Sequence, residues 1–185
     1  MSAPVRGPGP DRGPWAPPSA TGRRAILEAS ATIAMVGVSS NPARPSYFVA
    51  TYLLSSSTDY TVWFVNPRET AILGHPVYPS LADLPAAPDL VDVFRRSEDL
   101  PAVAAEAVAV GARAWWAQLG LWNVDAATLA HRAGLAVVMD RCLKIEHARF
   151  AGGLHLAGFD SGVISSRRRL RPAGPPSRPG PVEGP

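Results

Sequence analysis

Thr32-Ile-Ala-Met-Val-Gly-Val38, continued by Ser39-Ser-Asn-Pro-Ala-Arg-Pro-Ser46, opens the ordered part of this sequence. The first seven residues form an unbroken apolar run. A run without polar alternation predicts a strand buried on both faces, as in a parallel sheet. Gly37 permits a tight turn and close backbone approach. Pro45 suits the first turn of a helix. The unit therefore reads as strand, tight turn, helix. The turn offers Ser39, Ser40, Ser46 and Arg44 beside a helix N-terminus, where free N–H groups and the dipole favour an anion. Phosphate is the natural guest, although an ordinary Ser/Asn/Pro turn has the same composition.

The pattern repeats further along the chain. Tyr60–Val65, Leu90–Phe94, Ala112–Leu119 and Leu135–Met139 are further apolar runs. Helical segments are expected between them at 45–54, 98–110, 124–133 and 142–150. The second places Leu100, Val103, Ala107 and Val110 on one face and ends at Gly111. Residues 71–89 read as irregular, with short β pieces near Ile72 and Val77. Such alternation predicts an α/β fold, a three-layer Rossmann-like doubly wound parallel sheet. Ligands of such sheets bind at the carboxyl ends of the strands.

Proline marks the limits. Twelve of the 20 prolines fall in 1–18 and 171–185, stretches poor in large apolar residues. Residues 1–20 and 169–185 are expected to be disordered tails, and 21–168 one domain. Five of the 18 basic residues lie in 165–185 and four in the first 24 residues, so the net charge of +3 belongs to the ends. The middle is acidic. Nucleic-acid binding is therefore not favoured, for the basic run Arg167–Arg171 has no aromatic platform beside it. A single cysteine, Cys142, excludes an intramolecular disulfide and fits a reducing compartment. With no membrane-length apolar run and no signal-peptide core, a cytoplasmic protein is expected. Oligomeric state and protein partners stay open.

The strand ends carry most of the basic residues of the middle region. The loop after strand one lacks the three glycines of a dinucleotide fingerprint, keeping Gly37 alone. Strand two ends in Asn66-Pro67-Arg68, where a classical NAD site has an acid. A cation there suits a phosphorylated ribose, present in both coenzyme A and NADP; a surface arginine after a proline turn is the alternative. Strand three ends in Val93-Phe94-Arg95-Arg96, an aromatic and two guanidinium groups able to clamp a nucleotide. Equally, Phe94 is core and Arg95 pairs with Asp99. Strand four ends in Gln118-Leu119-Gly120. Trp115, Trp116 and Trp122 read as core for at least one of the three.

The ordered blocks VGVSSNPARPSYFVATYL, FVNPR, ILGHPVYPSLADLP, VDVFRRSEDLP, WWAQLG, VVMDRCLKIEH and SGVISSRR resemble the small bacterial CoA-binding-domain proteins, the YccU-like family. The similarity spans roughly 24–168. It implies a fold related to the CoA-binding domain of the succinyl-CoA synthetase alpha subunit, with CoA or an acyl-CoA as ligand. By that resemblance Gly37, Val38 and Ser39 line the phosphate region; the chemistry of the loop and helix start adds Arg44, Pro45 and Ser46 as candidates. Asn66, Pro67 and Arg68 lie near the adenosine ribose and its phosphate. Val93, Phe94 and Arg95 flank the nucleotide, and Gln118, Leu119 and Gly120 form the far wall.

Chemistry is less evident. His75, His131, His147 and His155 have neither metal nor triad spacing. Cys142, between Arg141 and Lys144 near a helix start, is either a packed residue or a reactive thiol for a mixed disulfide with CoA. A binding protein without catalysis is expected, an NADP-dependent oxidoreductase being the alternative.

Overall fold

A computed structural model describes residues 14–55 and 58–150. The described residues form seven strands and five α-helices: α1 (Ala20–Glu28), β1 (Thr32–Val36), α2 (Pro45–Leu53), β2 (Thr61–Val65), β3 (Ala71–Ile72), β4 (His75–Tyr78), β5 (Leu90–Val93), α3 (Leu100–Ala109), β6 (Ala114–Ala117), α4 (Val124–Arg132), β7 (Ala136–Val138) and α5 (Leu143–Phe150). The sheet order is β3-β4-β2-β1-β5-β6-β7. All neighbours are parallel except β3 and β4, joined through Leu73 and Gly74, both at positive φ. That is the backbone a two-residue hairpin turn demands.

Each central strand sends alternate side chains to opposite layers. From β1, Ala34 and Val36 join Leu100, Val103 and Ala104 of α3 and Ala126, Ala127 and Ala130 of α4. Ile33 and Met35 join Leu27 of α1, Val49, Ala50 and Leu53 of α2, and Leu143 of α5. Both faces are thus covered, which is why these strands are apolar apart from Thr32, Thr61 and the buried Asp92. Trp115 and Trp116 are buried on opposite sides, whereas Trp122 is half exposed. The expected three-layer, doubly wound sheet is the observed one.

The segments differ from expectation at their edges. The first apolar run stops being strand at Val36, because Gly37 takes a φ of +83°. Residues 98–99 belong to a 3-10 turn (Ser97–Asp99) that precedes α3. The sequence reading did not mark α1, which is capped by Ser19 through a bond from the Gly22 N–H at 3.1 Å. Trp15, expected in the N-terminal tail, donates its indole N–H to the Val137 carbonyl at 3.2 Å and meets Trp122 edge-on, with ring centroids 5.5 Å apart. Residues 1–13, the segment from 151 onward with His155, the block 161–168 and the C-terminal tail lie outside the described residues. Among the described residues no helix is long and apolar enough to cross a membrane.

Candidate functional site

β1 has β2 on one side and β5 on the other. The chain leaves β1 towards β2 and later returns to β5, so the two connections diverge at the carboxyl edge and leave a crevice between them. A groove of about 620 Å³ occupies this edge. It runs from Asn66, Arg68 and Glu69 after β2, past Gly37, Ser39 and Phe94, to Gln118, Leu119 and Leu121 after β6 and Cys142 and Ile145 at α5. Arg44, Pro45, Ser46, Phe48 and Val49 form its helical wall.

The loop after β1 is held from within. The Ser39 N–H donates to Ser46 Oγ at 3.2 Å, and the Asn41 N–H donates to Ser39 Oγ at 3.2 Å. Asn66 Nδ2 donates to the Val38 carbonyl at 2.7 Å, tying the ends of β1 and β2 together. Glu69 Oε1 accepts from the Ser40 N–H at 3.0 Å and from Ser40 Oγ at 3.1 Å. These bonds, the backbone one first, hold the Glu69 carboxyl below its usual range. Ser39, Ser40 and Ser46, which the sequence offers as hydroxyls for an anion, thus also hold the loop itself. Arg44 occupies the N-cap position of α2 without a capping side-chain bond, leaving that helix end uncapped by its own chain.

A second depression of about 540 Å³ adjoins the groove and shares Gly37, Arg44, Arg68 and Phe94 with it. Arg95, Arg96 and Asp99 complete its wall. Four arginines therefore face one cleft. Arg96 is committed to Glu98 at 2.7 Å and Asp99 at 3.2 Å, so the ion pair with Asp99 that the sequence offered Arg95 belongs to Arg96. Among the described residues Arg44, Arg68 and Arg95 make no ion pair.

Beneath the groove Asp92 of β5 is fully buried, between Met35 of β1 and Trp116 of β6 in the sheet register. Its Oδ1 accepts from Gln118 Nε2 at 2.7 Å, while Oδ2 has no partner. Burial pushes the Asp92 carboxyl up to about 8, against the lowering effect of the Gln118 bond. Trp116 donates its indole N–H to the Arg141 carbonyl at 2.7 Å, fixing the turn that brings Cys142 to the groove. Lys144 does not enter the groove; its Nζ stands 3.3 Å over the Phe48 ring.

Of the ligand contacts named from the sequence, ten line the groove: Gly37, Ser39, Arg44, Pro45, Ser46, Asn66, Arg68, Phe94, Gln118 and Leu119; Cys142, named as a candidate thiol, lines it too. Arg95 lines the adjoining cleft. Val38 and Val93 point into the core, and Pro67 and Gly120 line neither depression. The Gly120 N–H is taken by Asp140 Oδ1 at 2.7 Å. Phe48, Val49, Glu69, Leu121 and Ile145 were not anticipated. Phe48 and Ile145 carry the one available signal, large apolar side chains left 61% and 52% exposed on helices whose other large apolar side chains pack inward. Among the described residues no group of three or more His, Cys, Asp or Glu is placed to hold a metal.

This geometry defines the class: a Rossmann-like α/β domain with a cation-rich groove at its topological switch point. A family model described as the CoA binding domain matches residues 31–148. The chain belongs to that family. It is 39% identical over 131 residues to the uncharacterized protein YneT of Bacillus subtilis (strain 168), covering 71% of this chain and 96% of the relative. A hypothetical protein from Pyrococcus horikoshii OT3 superposes with a TM-score of 0.69 at 34% identity, covering 76% of this chain and 99% of that one. The protein ID.343 from Thermus thermophilus gives 0.66 at 34% identity, covering 71% and 98%.

Proposed function

We propose that the groove holds coenzyme A or an acyl-CoA, and that holding it, without chemistry of its own, is the activity of this domain. The observation that carries the reading is the pairing of two unlike depressions. The cleft walled by Arg44, Arg68, Arg95 and Arg96 suits the phosphates of a 3′-phosphorylated nucleotide. The groove beside it continues past Phe94 to Leu119, Cys142 and Ile145 and suits a long, thinly polar arm. From β2 to β7 there are four strand intervals, about 19 Å at roughly 4.8 Å each. An extended pantetheine arm needs a track of that order. The protein acts in this reading as a cytoplasmic carrier or sensor of CoA.

Calorimetry with CoA, 3′-dephospho-CoA and NADP tests it. CoA is expected to bind at least tenfold more tightly than either of the others. No binding of CoA at millimolar ligand defeats the proposal. Recovery of copurified NADP without CoA replaces it by an oxidoreductase reading.

A further inference from the structure

A buried carboxyl with an oxygen that has no partner is an expense the core does not need, since an apolar residue would fill the same place between Met35 and Trp116. Asp92 has one visible link to the site, Gln118. Gln118 is 6% exposed and lines the groove. Its Nε2 is committed inward to Asp92. Its Oε1 accepts no bond among the described residues and is not among the side-chain atoms sealed from solvent without a partner. A side-chain amide held by its nitrogen presents its oxygen the other way, and that oxygen only accepts.

We infer that Asp92 is a positioning residue that locks the Gln118 amide with its oxygen towards the groove, and that this oxygen selects a ligand carrying a hydrogen-bond donor at the β6 end. The inference rests on the CoA reading above. On the pantetheine arm the donors are the amide N–H groups and the terminal thiol S–H; a thioester has lost the second. The orientation matters because a freely turning amide would offer its NH₂ as readily as its oxygen. It would then accept ligands of either polarity. Asp92 keeps its proton at neutral pH, and Oδ1 is the oxygen that accepts from Gln118 Nε2; the reversed amide gives up that bond unless the carboxyl proton moves to Oδ1.

The test compares wild type, Gln118→Met, Asp92→Leu and the double variant by calorimetry against three ligands. Adenosine 3′,5′-bisphosphate lacks the arm, S-methyl-CoA lacks only the thiol proton, and CoA has both. Each single variant is expected to bind CoA about tenfold more weakly and the bisphosphate as wild type does. The double variant is expected to lose no more than either single one, because both act through one amide. If S-methyl-CoA binds wild type as CoA does, the donor is an amide N–H; if it binds tenfold more weakly, the donor is the thiol. In the wild type the Gln118 side-chain NH₂ signal is expected to resist solvent exchange, and Asp92→Leu to abolish that resistance. Equal CoA affinity in wild type and both variants, additive losses, or equal weakening of the bisphosphate overturns the inference. Failure of wild type to bind CoA overturns the CoA reading instead, so the two outcomes are separable.

Discussion

Gly37 and Arg95 touch where the two connections of the sheet part: a Cβ at Gly37 would stand 2.7 Å from Arg95 Cδ and 3.2 Å from the Phe94 carbonyl carbon. The absent side chain at the end of β1 is what lets the β5 end pass so close. The positive φ of Gly37 adds a second reason for glycine. Gly37→Ala meets the left-handed penalty of about 1–2 kcal/mol. Its methyl also displaces the arginine; the guanidinium end can swing away, but the Phe94 backbone cannot. Urea unfolding is expected to show a loss of at least that size, and CoA affinity is expected to fall with it. An alanine variant with wild-type affinity would show that the Gly37–Arg95 contact has no part in binding.

Arg68 and Arg95 line the cleft from different strand ends, and neither is engaged in an ion pair among the described residues. Each is expected to give about 1.5–3 kcal/mol to a phosphate it contacts. Arg68→Ala and Arg95→Ala should therefore weaken CoA about ten- to hundredfold without moving the unfolding midpoint. A double comparison with 3′-dephospho-CoA locates the contact. The arginine that meets the 3′-phosphate is the one whose removal no longer matters for the dephosphorylated ligand. If both variants keep wild-type affinity, the cleft is not where the phosphates sit.

The strands β1, β2, β5, β6 and β7 and four of the five described helices were legible because burial on both faces leaves apolar runs broken by glycine. α1 was not. Of its residues Leu27 is the buried one, and Arg23 and Arg24 make it look like the basic tail before it. What anchors it is a buried acid 123 positions away, which no local pattern reveals. The site divides in the same manner. Gly37, Arg68, Phe94 and Gln118 stand at strand ends, whose place follows from the sheet rule. Phe48, Leu121 and Ile145 reach the groove only through the packing of α2, α5 and the turn after β6. Val38 and Val93 failed as wall residues for local reasons. Val93 is the last residue of β5, where side chains alternate between faces and this one falls to the core, and Val38 follows the Gly37 turn and packs its side chain into the core beneath the loop.

Asp92 gives the stability of the fold a recognisable pH dependence. Its carboxyl is raised to about 8 in the folded protein, whereas an unfolded Asp titrates near pH 4. Between these values the folded state keeps a proton that the unfolded chain releases. Stability must then fall as pH rises through the window, by about 1.4 kcal/mol per unit from this group. His147, lowered by burial, slopes the opposite way around its own range, since the unfolded chain takes up the proton first on acidification. Asp92→Asn removes the first slope and leaves the second. The difference in unfolding free energy between variant and wild type is therefore expected to move steadily in favour of the variant from pH 5 to pH 8. A difference that stays constant across that range would mean that Asp92 is ionised in the folded protein.

Glu146 joins α1 to α5. Its Oε2 accepts from Arg23 Nε at 2.7 Å and its Oε1 from Arg149 Nη1 at 3.0 Å, while the carboxyl itself is nearly sealed from water. A buried pair of this kind owes its cost to desolvation, so removing one member is far worse than removing both. Glu146→Leu leaves Arg23 charged and largely buried; Arg149, more exposed, can turn outward. The Arg23 guanidinium keeps one bond, from Nη1 to the Pro18 carbonyl at 2.8 Å, which tempers the loss. A destabilisation of about 3 kcal/mol is expected in urea. Adding Arg23→Met should return more than half of it, because an apolar pair then fills the space between α1 and α5. Full additivity of the two substitutions would show that the helices are held by packing alone. The same helix carries Ile145 to the groove wall, so Glu146→Leu should also weaken CoA, and the double variant should restore affinity and stability together.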